Sequence, residues 1–325
     1  RYSTDGGISF SLPEPIIGIH ERLGDQNYRG ELQLAFEFEV DQCPAQCSLV
    51  LEQPEMYKAI EINGQPVSFK NSGYYRDKTF RTAQIVNGIS TGLNRILLTL
   101  DYIPPIPDSR NAVERYGTEI ESIYLIGDFG VEAIASSQPP VQSQRNLTGF
   151  LPQKPVNRFS RFILTGEKDS LEGDLTKEGY PFYNGEFELV KEFELETVEA
   201  DGSYFIQFPE TEVTMIQCEI NGVMVEPIAW SPWETNITSA VKAGRNTVKL
   251  ILVNSLRNLL GPHHNPAGEL FRIGPESFSG KSSWGQEGEP DWYDRRIAGK
   301  AIKWVEDYYM VPFGLLKAPA IVKRR

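Results

Sequence analysis

Between Leu32 and Val40 apolar and polar side chains alternate: Leu32, Leu34, Phe36, Phe38 and Val40 are interleaved with Gln33, Ala35, Glu37 and Glu39. A period of two with one apolar face is the pattern of a half-buried strand. It returns at Phe187, Leu189, Phe193 and Leu195. Further strands are predicted at residues 8–12, 48–52, 57–62, 65–69, 95–101 and 122–131, and then at 159–165, 204–208, 213–220, 247–253 and 308–315. Residues 80–85 read as a short helical or irregular segment, and no long stretch repeats at 3.6 residues. Two of the strands run into Asn63-Gly64 and Asn221-Gly222. Asn-Gly after an alternating run marks a tight hairpin whose two central residues take positive φ. Short strands separated by turn residues predict an all-β chain of the sandwich type.

The pattern occurs twice. Tyr28-Arg29-Gly30-Glu31-Leu32 and Tyr183-Asn184-Gly185-Glu186-Phe187 stand 155 residues apart, and Glu37-Phe38-Glu39-Val40 and Glu192-Phe193-Glu194-Leu195 keep that offset. Glu61-Ile62-Asn63-Gly64 answers to Glu219-Ile220-Asn221-Gly222, and Gly92-Leu93-Asn94 to Gly244-Arg245-Asn246 at an offset of 152. Near each end Phe129-Gly130 follows Tyr124 and Phe313-Gly314 follows Tyr309. Matched blocks in one order predict a duplicated unit. The expected division is 1–145 and 146–325, within a stretch punctuated by Pro139-Pro140 and by Pro152 and Pro155. On the Phe-Gly blocks the second half is 32 residues longer, which predicts a loop insertion at 255–300.

Length suits two domains, each large enough to bury a core. A net charge of −12 repels phosphate backbones and excludes nucleic acid as an expected partner. No run approaches the ~18 apolar residues of a membrane span. The chain opens Arg1-Tyr2-Ser3 with neither Met nor a leader pattern, which reads as a piece of a longer protein and leaves the compartment unread. Cys43 and Cys47 flank a Pro-containing loop; a disulfide and two free thiols both fit, and no zinc-type doubling of the spacing exists.

Several of these blocks resemble a known family. The run Gly179-Tyr180-Pro181-Phe182-Tyr183-Asn184-Gly185, the Glu-Ile-Asn-Gly turn, Gly244-Arg245-Asn246 and Pro312-Phe313-Gly314-Leu315 resemble the jelly-roll domains of large bacterial glycoside hydrolases. They look most like the β-sandwich regions of α-L-rhamnosidase-type enzymes and the sugar-binding domain of family 2 glycosidases, within the broader galactose-binding-domain-like fold. The resemblance covers the second half directly. It reaches the first through the repeat and through Tyr124-Leu125-Ile126-Gly127-Asp128-Phe129-Gly130. It implies two tandem galactose-binding-like jelly-roll sandwiches forming a non-catalytic part of a larger glycoside hydrolase, which bind carbohydrate or brace a catalytic domain of the same parent chain. Two alternatives stand beside it: a glycosidase with its active site in the second-half loop, and a protein-interaction module without a sugar site. No cofactor is expected beyond a structural calcium ion of the kind such sandwiches bind, for which Asp108, Asp174 and Asn265 are oxygen donors of the right type.

The candidate site is the loop from Leu259 to Arg295. It holds His263, His264, Trp284, Asp291 and Trp292, with Arg257 and Arg295 at its borders. Indole rings stack on the C–H faces of sugars, while planar charged groups bind hydroxyls. The first half has no tryptophan at all. Trp230 and Trp233 read as core or stacking rings, and Trp284, beside Gly280 and Gly285, as the exposed one. The histidine pair suits a metal or a general base, or a loop closure hydrogen-bonded to backbone, and the last is the preferred reading. Glycoside hydrolysis needs two carboxyls about 5–10 Å apart; Glu287, Glu289, Asp291 and Glu306 lie in or beside the loop, and nothing in the sequence singles out one as an acid.

Overall fold

Alternation becomes sheet over most of the predicted strands. The computed structural model of the chain describes residues 1–14, 16–70, 73–106, 108–137, 156–261, 263–264 and 306–324. In the first half the elements are β1 (Tyr2–Ser3), α1 (Ile16–Asp25), β2 (Gly30–Val40), β3 (Cys47–Glu52), β4 (Tyr57–Ile62), β5 (Gln65–Pro66), β6 (Gly73–Tyr75), β7 (Asp77–Gln84), β8 (Gly92–Tyr102), α2 (Ala112–Tyr116), β9 (Tyr124–Gly127) and β10 (Gly130–Ala135). In the second they are β11 (Asn157–Thr165), β12 (Glu186–Leu195), β13 (Ser203–Gln207), β14 (Thr211–Glu212), β15 (Met215–Ile220), β16 (Val223–Met224), β17 (Glu234–Asn236), β18 (Gly244–Val253), α3 (Arg257–Leu260), β19 (Tyr308–Met310), β20 (Gly314–Leu315) and β21 (Ala320–Arg324). The chain is all-β in class, with several separate sheets.

Each half has its own cluster of buried apolar side chains. The first gathers Leu32, Leu34, Leu49, Leu51, Ile62, Ile96, Leu98 and Tyr102. The second gathers Phe187, Ile206, Ile216, Cys218, Ile220, Leu250, Leu252 and Phe313. One sheet of the first half runs β10-β11-β2-β8-β4-β5, with β1 on β2 and β19 on β11. Thus β11 and β19, which lie beyond residue 145 in sequence, pair into the sheet of the first half. β11 meets β2 in parallel at Glu39 and Val40 and meets β10 antiparallel.

The two halves share a ladder and its register. β2-β8-β4-β5 in the first half answers to β12-β18-β15-β16 in the second. Val40 pairs with Gly92 and Leu195 with Gly244; Ile62 pairs with Ile96 and Ile220 with Val248. Both Asn-Gly turns have positive φ throughout: 49° and 77° at Asn63 and Gly64, 51° and 83° at Asn221 and Gly222. That is the hairpin geometry the dipeptide favours.

Each turn is locked by an asparagine pair. Asn63 Nδ2 donates to Asn94 Oδ1 at 2.7 Å and to the Gly88 carbonyl at 2.9 Å. Asn221 Nδ2 donates to Asn246 Oδ1 at 2.7 Å and to the Ala240 carbonyl at 2.9 Å. Asn63 Oδ1 in turn accepts from the Arg95 amide, and Asn221 Oδ1 from the Thr247 amide.

Several expectations are corrected. Residues 8–12 form no strand: Ile8 and Leu12 are exposed, and Phe10 lies under the Arg95 guanidinium at 4.1 Å. Residues 80–85 belong largely to β7. That strand presents Phe80 on one face and buried Ala83 on the other, so its apolar residues do not alternate cleanly. The helix α1 was not anticipated, although Ile16, Ile19 and Leu23 recur at helical spacing and pack on the first core. Residues 122–131 are two strands in two sheets, since β9 pairs with β3 and β10 with β11.

The Phe-Gly blocks do not occupy matching places either. Gly130 opens β10, whereas Gly314 opens β20, which pairs with β14. The counterpart of β9 on β3 is β21 on β13, with Tyr124 opposite Val50 and Val322 opposite Phe205. That pairing stands at an offset of 198 against 152 at the glycine blocks, a difference of 46 residues.

Candidate functional site

The sheet β6-β7-β3-β9 has two apolar faces. Leu49 and Leu51 point into the first core. Val50, Phe80 and Tyr124 point the other way: Val50 pairs with Tyr124, and Glu52, two residues on, pairs with Phe80. A sheet face this apolar must be covered, and the second half covers it. The segment 179–184, with Tyr180, Phe182 and Tyr183, forms the opposite wall, and Leu256, Leu259 and Leu260 at α3 close one side. The Val131 amide holds that wall at the Gly179 carbonyl, 2.7 Å away. Tyr180 and Tyr183 pack edge-on to Phe187 at 4.8 and 4.5 Å between ring centroids.

Between the walls lies a cleft of about 730 Å³. Seven aromatic rings line it: Tyr75, Phe80, Tyr124, Phe129, Tyr180, Phe182 and Tyr183. Among the described residues that line it, Arg76 alone is charged. Its Nη2 donates to the Asn184 carbonyl at 3.2 Å. Burial raises the pKa of the Tyr124, Tyr180 and Tyr183 phenols, so they stay protonated near neutrality. The Tyr183 hydroxyl donates to the Glu186 carbonyl at 3.2 Å, and Tyr124 and Tyr180 can donate to a ligand's oxygens.

Glu52 shares the sheet face of Val50, and Glu121 hydrogen-bonds to it. Burial first, then the neighbouring Glu52 charge and this bond, hold the Glu121 carboxyl above its ordinary range. A hydrogen-bonded pair is far closer than the ~5–10 Å that glycoside hydrolysis needs.

Of the residues expected at the site, Trp284, Asp291, Trp292 and Arg295 lie outside the described residues, as do Glu287, Glu289 and Asn265. Arg257 opens α3, whose Leu259 and Leu260 line the cleft. His263 and His264 stand behind the wall rather than in the lining. His263 rings with Phe182 and Tyr308 at 5.8 and 5.9 Å, and His264 with Tyr308 at 4.4 Å. His263 Nε2–H donates to the Asn258 carbonyl at 2.6 Å, and the His263 carbonyl accepts from the Tyr309 amide. The bonds are those of a loop closure.

Burial lowers the His263 pKa below its ordinary 6.5, outweighing the Asn258 bond that raises it. Protonation then favours the unfolded chain. The stability His263 contributes is complete above pH ~6.5 and is lost as pH falls from there toward the lowered folded value. Denaturant midpoints recorded from pH 8 to pH 5 should therefore drop below pH 6.5, and His263→Phe should flatten that drop. An unaltered slope would mean that the imidazole is solvated.

Trp233 packs against the second core and Trp230 is 77% exposed. Asp174 is committed to protein donors: Asn157 Nδ2 at 2.6 Å, the Thr176 hydroxyl at 2.6 Å and the Phe313 amide at 3.2 Å. Asp108 is exposed. No group of three His, Cys, Asp or Glu converges among the described residues. Cys43, Cys47 and Cys218 are free thiols, the last two buried. The lining rings themselves were not foreseen as a site; the signal for them was the aromatic run 179–185.

No protein-family model and no curated protein matches the chain. Three solved structures similar to it are glycoside hydrolases. A rhamnosidase from Novosphingobium sp. PP1Y is 15% identical at a TM-score of 0.28, over 91% of this chain and 23% of that one. An α-L-rhamnosidase from Streptomyces avermitilis, complexed with L-rhamnose, is 10% identical at 0.27, over 75% and 23%. An exo-chitosanase from Amycolatopsis orientalis is 11% identical at 0.23, over 69% and 21%. The chain spans less than a quarter of each, and likeness at this level decides nothing about function.

Proposed function

We propose that the chain is a non-catalytic, carbohydrate-binding region of a larger glycoside hydrolase, built from two duplicated jelly-roll sandwiches divided near 145/146. The single observation that carries the binding reading is the cleft of about 730 Å³ lined by seven aromatic rings. Its volume falls within the ~300–1,000 Å³ of small-ligand sites. Rings with a few polar groups between them suit a sugar, whose apolar C–H faces stack while its hydroxyls take hydrogen bonds. The duplication is supported by the shared four-strand order, by the register shared at Val40–Gly92 and Leu195–Gly244 and at Ile62–Ile96 and Ile220–Val248, and by the two asparagine locks. A structural calcium remains part of the proposal only at loops other than the one Asp174 occupies.

Bracing of a catalytic domain is the second reading. It is favoured by the ring cluster of Phe162, Phe182, Tyr308 and His263, which ties β11 to the cleft wall. A glycan array separates the two. Wild type should retain at least one glycan, and Tyr124→Ala and Tyr183→Ala should each weaken it about tenfold or more, the loss of one stacking ring. No retained glycan, or unchanged retention by both variants, would leave bracing as the better account.

A further inference from the structure

Arg76 occupies an unusual place. It sits in the tight turn between β6 and β7, where Tyr75 is opposite Asp77, with φ of 63°. Left-handed backbone is strained for a residue with a Cβ, and such positions ordinarily carry glycine or asparagine. A strained non-glycine residue at a binding cleft points to a task for its side chain.

The guanidinium is held but not neutralised. It donates to the Asn184 carbonyl at 3.2 Å and hydrogen-bonds to the side chain of Tyr75, whose ring centroid lies 5.5 Å away. It forms no ion pair with any described residue. The adjacent Asp77 carboxylate is turned to the Thr79 amide and hydroxyl, both at 2.8 Å. Glu186 acts on it through space without bonding. The chain has 44 acidic residues against 32 basic ones, so an arginine with no carboxylate partner among the described residues, at the rim of an apolar cleft, leaves donors of its fork for something that enters. With a net charge of −12, the field of the whole chain does not draw anions in, and recognition of one must be local.

We infer that the cleft takes a sugar acid: a pyranose whose ring stacks on the tyrosines and whose carboxylate pairs with Arg76. A planar guanidinium matches a carboxylate in a fork of two parallel hydrogen bonds, a geometry that a neutral hydroxymethyl group cannot reproduce. The inference rests on the carbohydrate-binding reading of the same cleft.

The test uses ligand pairs that differ in the carboxylate alone: phenyl β-D-glucuronide against phenyl β-D-glucoside, and methyl α-D-galacturonide against methyl α-D-galactoside. Each is titrated into the full chain and followed by ligand-observed NMR. In at least one pair the acid should bind about tenfold tighter. Arg76→Met should remove that preference by weakening the acid far more than the neutral member, and Arg76→Lys should keep part of it. Arg76→Gly guards against misfolding: it relieves the left-handed strain, so it should melt no lower than wild type and should still lose the preference. Equal affinity within both pairs overturns the inference and leaves carbohydrate binding standing. An Arg76→Met variant that weakens acid and neutral sugars alike makes Arg76 a structural clasp on Asn184. Failure of all four ligands to bind counts against both this inference and the reading it rests on.

Discussion

Asn94→Ala and Asn246→Ala should each cost about 2–4 kcal/mol of stability, well above what an ordinary surface asparagine is worth. Both side chains are buried, at 0% and 1% exposure. Asn94 Oδ1 accepts from the Ser90 amide and Asn63 Nδ2, and its Nδ2 donates to the Ser90 and Gly92 carbonyls at 2.6 and 3.0 Å. Asn246 repeats the set with the Lys242 amide, Asn221, and the Lys242 and Gly244 carbonyls at 2.8 and 3.0 Å. Alanine removes four bonds at once and leaves Asn63 or Asn221 Nδ2 with one of its two acceptors. Water reaches some of the freed groups, which keeps the figure below the sum of four full penalties.

Asn→Asp at either position should be no milder. It keeps the acceptor but sets a charge against two carbonyls that need donors. Urea midpoints at unchanged m-value measure the loss. Wild-type midpoints in both Ala variants would mean that the locks are ornaments of the turn.

These locks mark how far the sequence could be read. Asn-Gly turns, the alternating strands and the repeat of Gly-x-Asn all rest on contacts between residues near in sequence, and, residues 8–12 apart, they appear where expected. That Asn63 reaches Asn94, 31 residues on, is not written in either local pattern. The strand β7 was obscured for a related reason. Asp77–Gln84 carries only two apolar residues, Phe80 and Ala83, and they fall on opposite faces, so no period-two signal forms. The ten-residue α1 carries two glycines, Gly18 and Gly24, which weaken its helical signature.

The cleft was illegible for the same reason on a larger scale. Its rim joins Arg76 to Asn184 across 108 residues, and its rings come from both halves: Tyr75, Phe80 and Tyr124 on strands of the first, Tyr180, Phe182 and Tyr183 on the turn before β12. The aromatic run 179–185 was visible as a motif, but what it covers could not be known without the fold. The rare residue types, histidine and tryptophan, stand out in the sequence instead. Of these, His263 proves to be a neutral, backbone-bonded closure one layer behind Phe182. Equating Phe129-Gly130 with Phe313-Gly314 failed because two-residue identity carries no register; strand pairing moved the match to β21.

Gly314→Ala should be among the damaging single-methyl changes, at about 3–5 kcal/mol. Two costs coincide there. The backbone has φ of 129°, where a Cβ is strained. A Cβ would also run into the Gly173 carbonyl oxygen and press on buried Leu175, 3.1 Å from its Cγ. The carbonyl is backbone and cannot swing aside as a long side chain would.

Gly222→Ala isolates the first cost. Its φ is 83°, with nothing within 4 Å of the added carbon, so it should lose only about 1–2 kcal/mol. The difference between the two variants is the clash. If Gly314→Ala is no worse than Gly222→Ala, the close approach of β20 to the segment at Gly173 is not a feature of the folded protein. The consequence reaches the cleft. The Phe313 carbonyl accepts from the Leu175 amide, and the Leu175 carbonyl accepts from the Tyr180 amide, so the segment that Gly314 lets approach also carries the aromatic wall. Below its melting temperature Gly314→Ala should therefore bind the cleft's ligand more weakly, although residue 314 lines no part of it.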